Sequence, residues 1–357
     1  TFSLEDSLSN PIDYPVEGTF NAVDVWDDIL DLYRNGDEET IKPKSKDFKD
    51  FNKIFSILMG QLTTVTGIPS SGKSNWVEWF VTQLICDHDN LKASFFSPEH
   101  LPMKKHHEVL AEKVVGKKFG SSEFGNRMNE DELIKYREWS KDKIYLTAPE
   151  RGELVSWDWL LERFKEQCFK YGCNIFVIDA FNKVKRKNGE SLSEIGETLA
   201  KITAFCQAYD VHVFLIAHPT KMPKIQGSEK YEMPDLYSVK GSGDFRDQTH
   251  NGLCVHRDYE TGEVIVKNLK AKFKNQGSGS IGSFVTFNYD LNNGRYYDGV
   301  TDDRPLWERN NTQKEIEPIE SDIEPSRLNA LSKQSGYAVQ DDNSFETSDG
   351  KTFEYPF

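Results

Sequence analysis

The chain lacks both a long apolar run and a paired-cysteine motif. Nothing in its 357 residues approaches the ~20 apolar residues of a membrane-spanning helix, and the first residues lack the basic and apolar pattern of a signal peptide. The five cysteines form no Cys-x-x-Cys pair suited to zinc or redox exchange, so we expect buried, reduced thiols. These absences predict an intracellular protein with no membrane partner. The first residue is Thr1 rather than Met, which predicts a processed or truncated chain.

An overall excess of basic residues is also missing, since the formal net charge is −14. The acidity lies in the flanks: residues 1–50 have 5 basic and 13 acidic side chains, and residues 301–357 have 6 and 13, which leaves +1 for residues 51–300. Within this nearly neutral centre, basic residues cluster at 183–187, 221–224 and 267–274. A single surface lysine run is usually just solvated, but three clusters at one edge of a sheet predict a surface that binds a polyanion.

Alternating apolar patterns predict a wound, mostly parallel α/β sheet with helices on both faces. Strands are predicted at 61–66, 92–97, 143–147, 174–178 and 211–217, and helices at 73–88, 102–115, 130–141, 156–171 and 191–208. After a polar loop at 218–248, runs at 251–257, 263–271, 283–289 and 294–297 predict an antiparallel extension, with a hairpin turn at residues 292–294.

Two flanks surround this predicted domain of residues 51–300. Residues 1–50 form a lead-in with an amphipathic helix over about 21–35, in which Val25, Ile29, Leu32 and Tyr33 have helical spacing. Residues 301–357 are acidic, polar and poor in periodic apolar positions. We expect this second flank to be an extended or disordered tail.

A complete phosphate-binding loop lies between the first predicted strand and its helix. Residues 67–74 read Gly-Ile-Pro-Ser-Ser-Gly-Lys-Ser. The glycines let backbone N–H groups turn toward a β-phosphate, and the helix adds its positive N-terminal end. Lys73 is expected to reach the β/γ-phosphates and Ser74 to join the Mg²⁺ shell. The alternative is a glycine-serine turn that matches all the fixed positions by chance. We therefore expect ATP, or another nucleoside triphosphate, with Mg²⁺, bound by Gly67, Ser70, Ser71, Gly72, Lys73, Ser74 and Asn75.

Polar side chains follow three of the predicted parallel strands. Asp179 ends the strand at 174–178 and is expected to hold a Mg²⁺-bound water, although many such aspartates cap the next helix. Glu99 is expected to polarise the attacking water, with a glutamate that merely starts a helix as the alternative. His218 is expected to donate a hydrogen bond to the γ-phosphate, although a lone histidine is more often structural.

Together these motifs resemble the hexameric replicative DNA helicases with a RecA-like core, which include the DnaB family, Twinkle and the helicase half of phage primase-helicases. The resemblance covers residues 21–298 and implies that Glu99 is the catalytic base and His218 the γ-phosphate sensor. It also implies that Arg257 stacks on the nucleotide base opposite Phe287.

The same resemblance implies that Lys270 and Lys272 reach the nucleotide of the neighbouring subunit. The family more often has arginine where Lys272 stands, and lysine lacks the planar guanidinium. Either Lys272 acts as a point charge with Lys270, or Arg246 takes the role.

Further implications concern assembly and partners. The resemblance implies a hexameric ring closed by the helix at 21–35, single-stranded and forked DNA as ligands, and a primase domain or protein missing from this chain. The compartment would be the cytoplasm of a bacterial or phage-infected cell, or the mitochondrial matrix. The expected DNA-binding residues are Lys185, Arg186, Lys221, Lys224, Gly241, Ser242 and Arg246.

Three functions are compatible with these residues. The first is an ATP-dependent replicative DNA helicase that moves along one strand and excludes the other. The second is a RecA-type recombinase or repair ATPase, and the third is a nucleotide-controlled loader or scaffold that hydrolyses little ATP. Strand displacement at a fork, compared with strand exchange, separates the first two.

Overall fold

The computed structural model describes residues 18–19, 21–35, 40–120, 127–150, 153–184, 192–226, 231–239 and 242–309, and three short strands between residues 338 and 354. The chain divides into two compact units, Thr1–Arg309 and Asn310–Phe357. The first unit contains a nine-stranded sheet and the second a three-stranded one.

The large sheet is parallel in its first part and antiparallel in its last. Its strands are β1 (Leu62–Thr66), β2 (Ala93–Phe96), β3 (Ile144–Leu146), β4 (Ile175–Asp179), β5 (His212–Ile216), β6 (Asn251–Arg257), β7 (Val264–Lys270), β8 (Phe284–Tyr289) and β9 (Tyr296–Tyr297). Their spatial order is β3-β2-β4-β5-β1-β6-β7-β8-β9. All pairs from β3 to β6 are parallel, and those from β6 to β9 are antiparallel. The predicted extension is confirmed, except that its first strand, β6, is also the last parallel strand.

Helices cover both faces of this sheet, as predicted. They are α1 (Trp26–Asn35), α2 (Lys73–Asp87), α3 (Met103–Val115), α4 (Glu130–Ser140), α5 (Trp157–Tyr171), α6 (Leu192–Tyr209), α7 (Ser242–Gln248) and α8 (Leu306–Arg309). Successive strand side chains point to opposite faces. In β4, Val177 therefore joins the core that contains residues of α2 and α3, whereas Phe176 joins the core with residues of α5 and α6.

The hairpin turn predicted before β9 is present. The amide of Asp290 donates to the carbonyl of Arg295 at 3.0 Å, and the amide of Gly294 donates back to Asp290 at 2.9 Å. Gly294 has φ +71°, a backbone conformation that residues with a side chain rarely adopt. This turn matters for the site because β9 lies beside the phosphate-binding loop.

Two segments differ from the sequence-based expectation. The predicted polar loop at 218–248 ends in the short helix α7. Residues 301–309 were expected in the tail but pack on the first unit, where Leu306 is fully buried and Arg309 pairs with Asp47 at 2.7 Å. The boundary therefore follows Arg309. The segment is held by ion pairs and by two neighbouring apolar residues, Leu306 and Trp307, which form no periodic pattern. In the second unit, β10 (Ala338–Val339), β11 (Ser344–Glu346) and β12 (Thr352–Glu354) form an antiparallel sheet.

The amphipathic helix α1 begins after a 3₁₀ turn at Ala22–Val25, which is capped by Asn21. Its apolar side chains are exposed, with Ile29 at 41%, Leu32 at 45% and Tyr33 at 86% of their free surface. No helix within the described residues is long and apolar enough to span a membrane. The five cysteines, all within those residues, are reduced thiols, and all but Cys168 are buried, as expected.

His212 gives the fold a defined dependence on pH. Its ring is fully buried between the Leu58 carbonyl, 2.7 Å from Nδ1, and the Thr63 hydroxyl, 2.9 Å from Nε2. Burial lowers the pKa of His212 from 6.5 to about 4. As pH falls through 6.5, the unfolded chain takes up the proton first, so stability is lost between pH 6.5 and 4.

We expect this histidine to cost the wild type about 2 kcal/mol of unfolding free energy between pH 7.5 and pH 5. His212→Gln should lose less stability over the same interval, although it starts from a lower value because the buried hydrogen bonds change. Urea unfolding of both proteins at the two pH values measures the difference. An identical pH dependence in the two proteins would contradict the assignment.

Candidate nucleotide and magnesium site

The phosphate-binding loop connects β1 to α2 and passes very close to β6. Gly67 has φ +155°, and a Cβ there would lie 2.1 Å from the Val255 carbonyl oxygen. Gly72 has φ +90°, and its Cβ would lie 2.8 Å from the Tyr296 hydroxyl. Asn75 donates to the same hydroxyl at 3.3 Å. Both glycines are therefore required by the packing of the loop between β6 and β9.

Lys73 is the buried cation of this loop. Its side chain is only 4% exposed, and Nζ donates to the carbonyl oxygens of Gly67 and Ile68, each at 2.8 Å. Burial lowers the pKa of Lys73 to about 8, although nearby Asp179 raises it. A bound anion favours the charged lysine. The buried Ser71 hydroxyl has no hydrogen-bond partner among the described residues, so the loop fits a phosphate that would accept from it.

Asp179 ends β4 next to the start of α2. It is 3% exposed, and its carboxylate accepts a hydrogen bond from Ser97 Oγ at 3.2 Å. Burial raises the pKa of Asp179, while a hydrogen bond with Ser74 lowers it. A carboxylate beside a hydroxyl at the end of the phosphate-binding loop has the oxygen donors that Mg²⁺ prefers. The two residues predicted as metal ligands are therefore adjacent.

Glu99 lies in a 3₁₀ turn, Pro98–His100, that follows β2. Its Oε1 is 3.0 Å from Lys183 Nζ, and both side chains are about half exposed. The hydrogen bond with Lys183 lowers the pKa of Glu99, so the carboxylate is ionised at neutral pH. Sequence reasoning grouped Lys183 with a basic cluster and missed this pairing, because only the order β2-β4 makes the ends of the two strands neighbours.

His218 follows β5 at the same edge of the sheet. Its ring is half-buried, and burial lowers its pKa, followed by the charge of Lys73, while Glu99 raises it. Lys73 begins α2 after the phosphate-binding loop, and Glu99 lies in the turn after β2. The structure thus brings together Lys73, Ser74, Glu99, Asp179 and His218, as the sequence predicted.

Phe287 does not face a nucleotide. Its ring is fully buried among Phe48, Phe51 and Trp76, at centroid distances of 5.6, 5.7 and 5.9 Å. The expectation that it stacks on a base is therefore wrong: alternate β8 side chains face the core, and Phe287 is one of them. The guanidinium carbon of Arg257 lies 5.4 Å from the ring centroid of Tyr289 and 6.0 Å from that of Tyr259.

Arg257 and Lys221 line a cavity of about 810 Å³ beside the phosphate-binding loop, which contributes Ile68 and Pro69. Lys224 lies further along the same loop, with its ammonium 5.9 Å from the Tyr231 ring. The predicted residues Lys185, Arg186 and Gly241 lie outside the described residues. Ser242 is the first residue of α7.

Lys270 and Arg246 lie at the opposite edge of the sheet. Cys254 of β6 pairs with Thr66 of β1, next to the phosphate-binding loop. Lys270, the last residue of the antiparallel β7, pairs with Gly252, near the start of β6. Lys270 Nζ donates to the Arg246 carbonyl at 2.6 Å, and burial lowers its pKa. Lys267 is level with Cys254, and β7 runs from there away from the loop. The expectation that all three basic clusters share one edge is therefore wrong for the part of the third cluster that begins at Lys270.

A phosphate-binding loop motif on a mostly parallel sheet, with an acid at the end of each of two neighbouring strands, defines a RecA-like domain. Among solved structures, one isolated ATPase domain has a TM-score of 0.60 and 13% identity, over 80% of this chain and 100% of that chain. A DnaB-like replicative helicase, described with its interactions with primase, also has a TM-score of 0.60 and 13% identity, over 83% of this chain and 70% of that one. Both likenesses concern the fold.

In sequence, the chain is 31% identical over 307 residues to the chloroplastic/mitochondrial Twinkle homolog protein of Arabidopsis thaliana. The match covers 83% of this chain and 42% of that protein, so the chain spans less than half of its relative's length. No family model matches the chain. By this relative and these folds, the chain belongs to the DnaB/Twinkle-type helicase family.

Proposed function

We propose that this chain is an ATP-dependent replicative DNA helicase that forms a ring, translocates on single-stranded DNA and unwinds duplex at forks. The observation that carries the proposal is the meeting of Lys73, Ser74, Asp179, Glu99 and His218 at one edge of the sheet. This set contains a phosphate-binding cation, two magnesium ligands, an ionised carboxylate and a neutral histidine. Phosphoryl transfer to water needs these groups, together with a further positive charge.

In the proposed reaction, Lys73 and the backbone N–H groups of residues 67–74 bind the phosphates. Ser74 and Asp179 would hold Mg²⁺, which would neutralise negative charge on the phosphates. Glu99 accepts a proton from the attacking water. His218 donates a hydrogen bond to the γ-phosphate and loses this contact after hydrolysis. The loss shifts the loop that follows His218, which carries Lys221 and Lys224.

The position of the basic residues that lie far from the phosphate-binding loop supports the proposed ring. Lys270 lies at the edge opposite this chain's own phosphate-binding loop, and the Lys272 amide donates to the Asn251 side chain, at the start of β6 on the same edge, at 3.1 Å. They therefore serve a nucleotide only if another subunit binds it. Arg246 lies at the same edge and is the alternative trans-acting residue. The exposed apolar side of α1 supplies a surface for docking on an adjacent protomer, as in the resembled family.

Fork unwinding tests the whole proposal. The full chain should unwind a forked DNA with ATP, and single-stranded DNA should stimulate its ATP hydrolysis. Lys73→Ala should lower both activities by at least about 100-fold, because it removes the cation that stabilises the transferred phosphoryl group. The exposed Lys53→Ala is the matched control and should behave as wild type. Hydrolysis with strand exchange but no unwinding would favour a recombinase, and negligible hydrolysis would favour a loader.

The proposed DNA contacts have their own test. If Lys221 and Lys224 bind phosphates, affinity for single-stranded DNA falls steeply with salt. We expect Lys221→Ala/Lys224→Ala to weaken binding and to reduce the slope of log K against log salt by about 0.7 for each lost contact. Fluorescence anisotropy across a salt series measures the slope. Binding that does not depend on salt would contradict this part of the proposal.

A further inference from the structure

A buried carboxylate, Glu78, lies on α2 between the phosphate-binding loop and the turn that carries Glu99. Its side chain is 3% exposed and has three close partners. Oε1 is 2.8 Å from His106 Nε2 and 3.0 Å from His100 Nδ1, and Oε2 is 2.9 Å from Lys113 Nζ. Lys113 is fully buried. Such a cluster is costly to bury unless all its members are satisfied, which these contacts achieve.

Glu78, His100 and His106 also have the composition of a zinc site, since their ligand atoms lie within 4.8 Å of one another. The contacts favour a different function. Each histidine nitrogen near Glu78 already contacts the carboxylate directly, and the Lys113 ammonium supplies a charge that would repel a cation. Burial raises the pKa of Glu78, but Lys113 and the two histidines lower it well below its usual range. The carboxylate is therefore ionised and fully engaged by protein groups.

One of the partners belongs to the catalytic turn. His100 is the neighbour of Glu99 in the 3₁₀ turn Pro98–His100. Its Nδ1 also lies 3.2 Å from Ser97 Oγ, and Ser97 Oγ donates to Asp179 at 3.2 Å. Glu78 thus holds His100, and His100 contacts Ser97, which in turn donates to the predicted metal ligand Asp179. By contrast, His106 lies on α3, and it contacts the turn through its ring, whose centroid is 4.8 Å from that of His100.

We propose that Glu78 is a positioning residue for ATP hydrolysis, which through His100 fixes the turn that carries Glu99. This inference rests on the proposed function, in which Glu99 is the base. Glu78 and the phosphate-binding Lys73 share helix α2, so the helix that binds the phosphates also holds the catalytic turn. A base displaced by about 1 Å loses up to about 100-fold in rate.

The test compares Glu78→Gln, His100→Gln, their double variant and the control His106→Gln in the full chain. We expect Glu78→Gln and His100→Gln to lower kcat by about 10- to 100-fold and to change KM for ATP less than about twofold. The double variant should be no slower than His100→Gln alone, because both act through one contact. His106→Gln removes the ring contact with His100 but keeps the Glu78–His100 contact, so it should lower stability but keep kcat. His100→Gln covers the case in which Glu78→Gln does not fold, since His100 is partly exposed.

Hydrogen exchange of the Ser97, Glu99, His100 and Leu101 amides supplies a readout without activity. These amides should exchange faster in Glu78→Gln and His100→Gln than in wild type and His106→Gln. Unchanged exchange, additive kcat losses, or a stoichiometric zinc ion lost in His106→Gln would each overturn the inference. If Glu99→Gln leaves hydrolysis intact, the proposed function fails. If Glu99→Gln abolishes hydrolysis and His100→Gln has no effect, only the positioning role fails.

Discussion

Glu99→Gln is expected to lower ATP turnover by about 10²- to 10⁴-fold, because the amide cannot accept a proton from the attacking water. The substitution keeps the size of the side chain and should leave ATP binding within about threefold of wild type, since the loss occurs only in the transition state. Single-turnover hydrolysis and equilibrium binding of ATP separate the two effects. Glu108→Gln is the matched control, because Glu108 forms a similar exposed pair with Lys105 on α3.

The ion pair between Glu99 and Lys183 requires a second control. Lys183→Gln removes the same ion pair but keeps the carboxylate. We expect Lys183→Gln to retain ATP turnover. The loss of turnover in Glu99→Gln is then caused by the missing base. Equal losses in both variants would instead assign the effect to the ion pair, and full activity in Glu99→Gln would show that another group activates the water.

The part of the site formed by parallel strands was predictable from sequence, because their carboxyl ends must meet at one edge. An acid or histidine after such a strand is therefore placed by topology alone, which explains why Glu99, Asp179 and His218 converge. The antiparallel part was not predictable in the same way. A strand that reverses direction sends its end to the other edge, so the position of Lys270 depended on pairings that the sequence pattern does not encode.

Side-chain orientation and long-range charge pairing also escaped prediction. Phe287 and Tyr289 lie on the same face of the short strand β8, separated by the exposed Asn288. Only the packing of residues 48–55 against β8 shows that Phe287 belongs to the core. Glu78 looked like an ordinary helical glutamate, since its partners His100 and Lys113 come from segments more than 20 residues away in sequence. Such contacts leave no periodic signal.

The segment at 301–309 contains another long-range contact without a sequence signal, the ion pair between Arg309 and Asp47. Arg309 pairs with Asp47 at 2.7 Å, and both side chains are almost fully buried. The guanidinium carbons of Arg309 and Arg295 lie 5.6 and 5.2 Å from the centroid of the same Trp79 ring. Burial and then the charge of Arg309 lower the pKa of Arg295. Asp47 therefore offsets the repulsion between two buried cations.

Asp47→Asn should consequently lower the free energy of unfolding by roughly 3 kcal/mol, the lower end of the cost of breaking a buried ion pair, because Arg309 keeps its longer pair with Asp302 at 3.7 Å. A chain that ends after Val300 should be destabilised similarly in urea unfolding, because Asp47 then loses Arg309 and the Leu306 side chain no longer fills its pocket. A chain that ends after Arg309 keeps both contacts and should not show this loss. The exposed Asp50→Asn, which breaks only a surface pair with Lys53, should change the midpoint little. Equal stability of the two truncated chains would place the domain boundary at residue 301 and would remove the structural role of this ion pair.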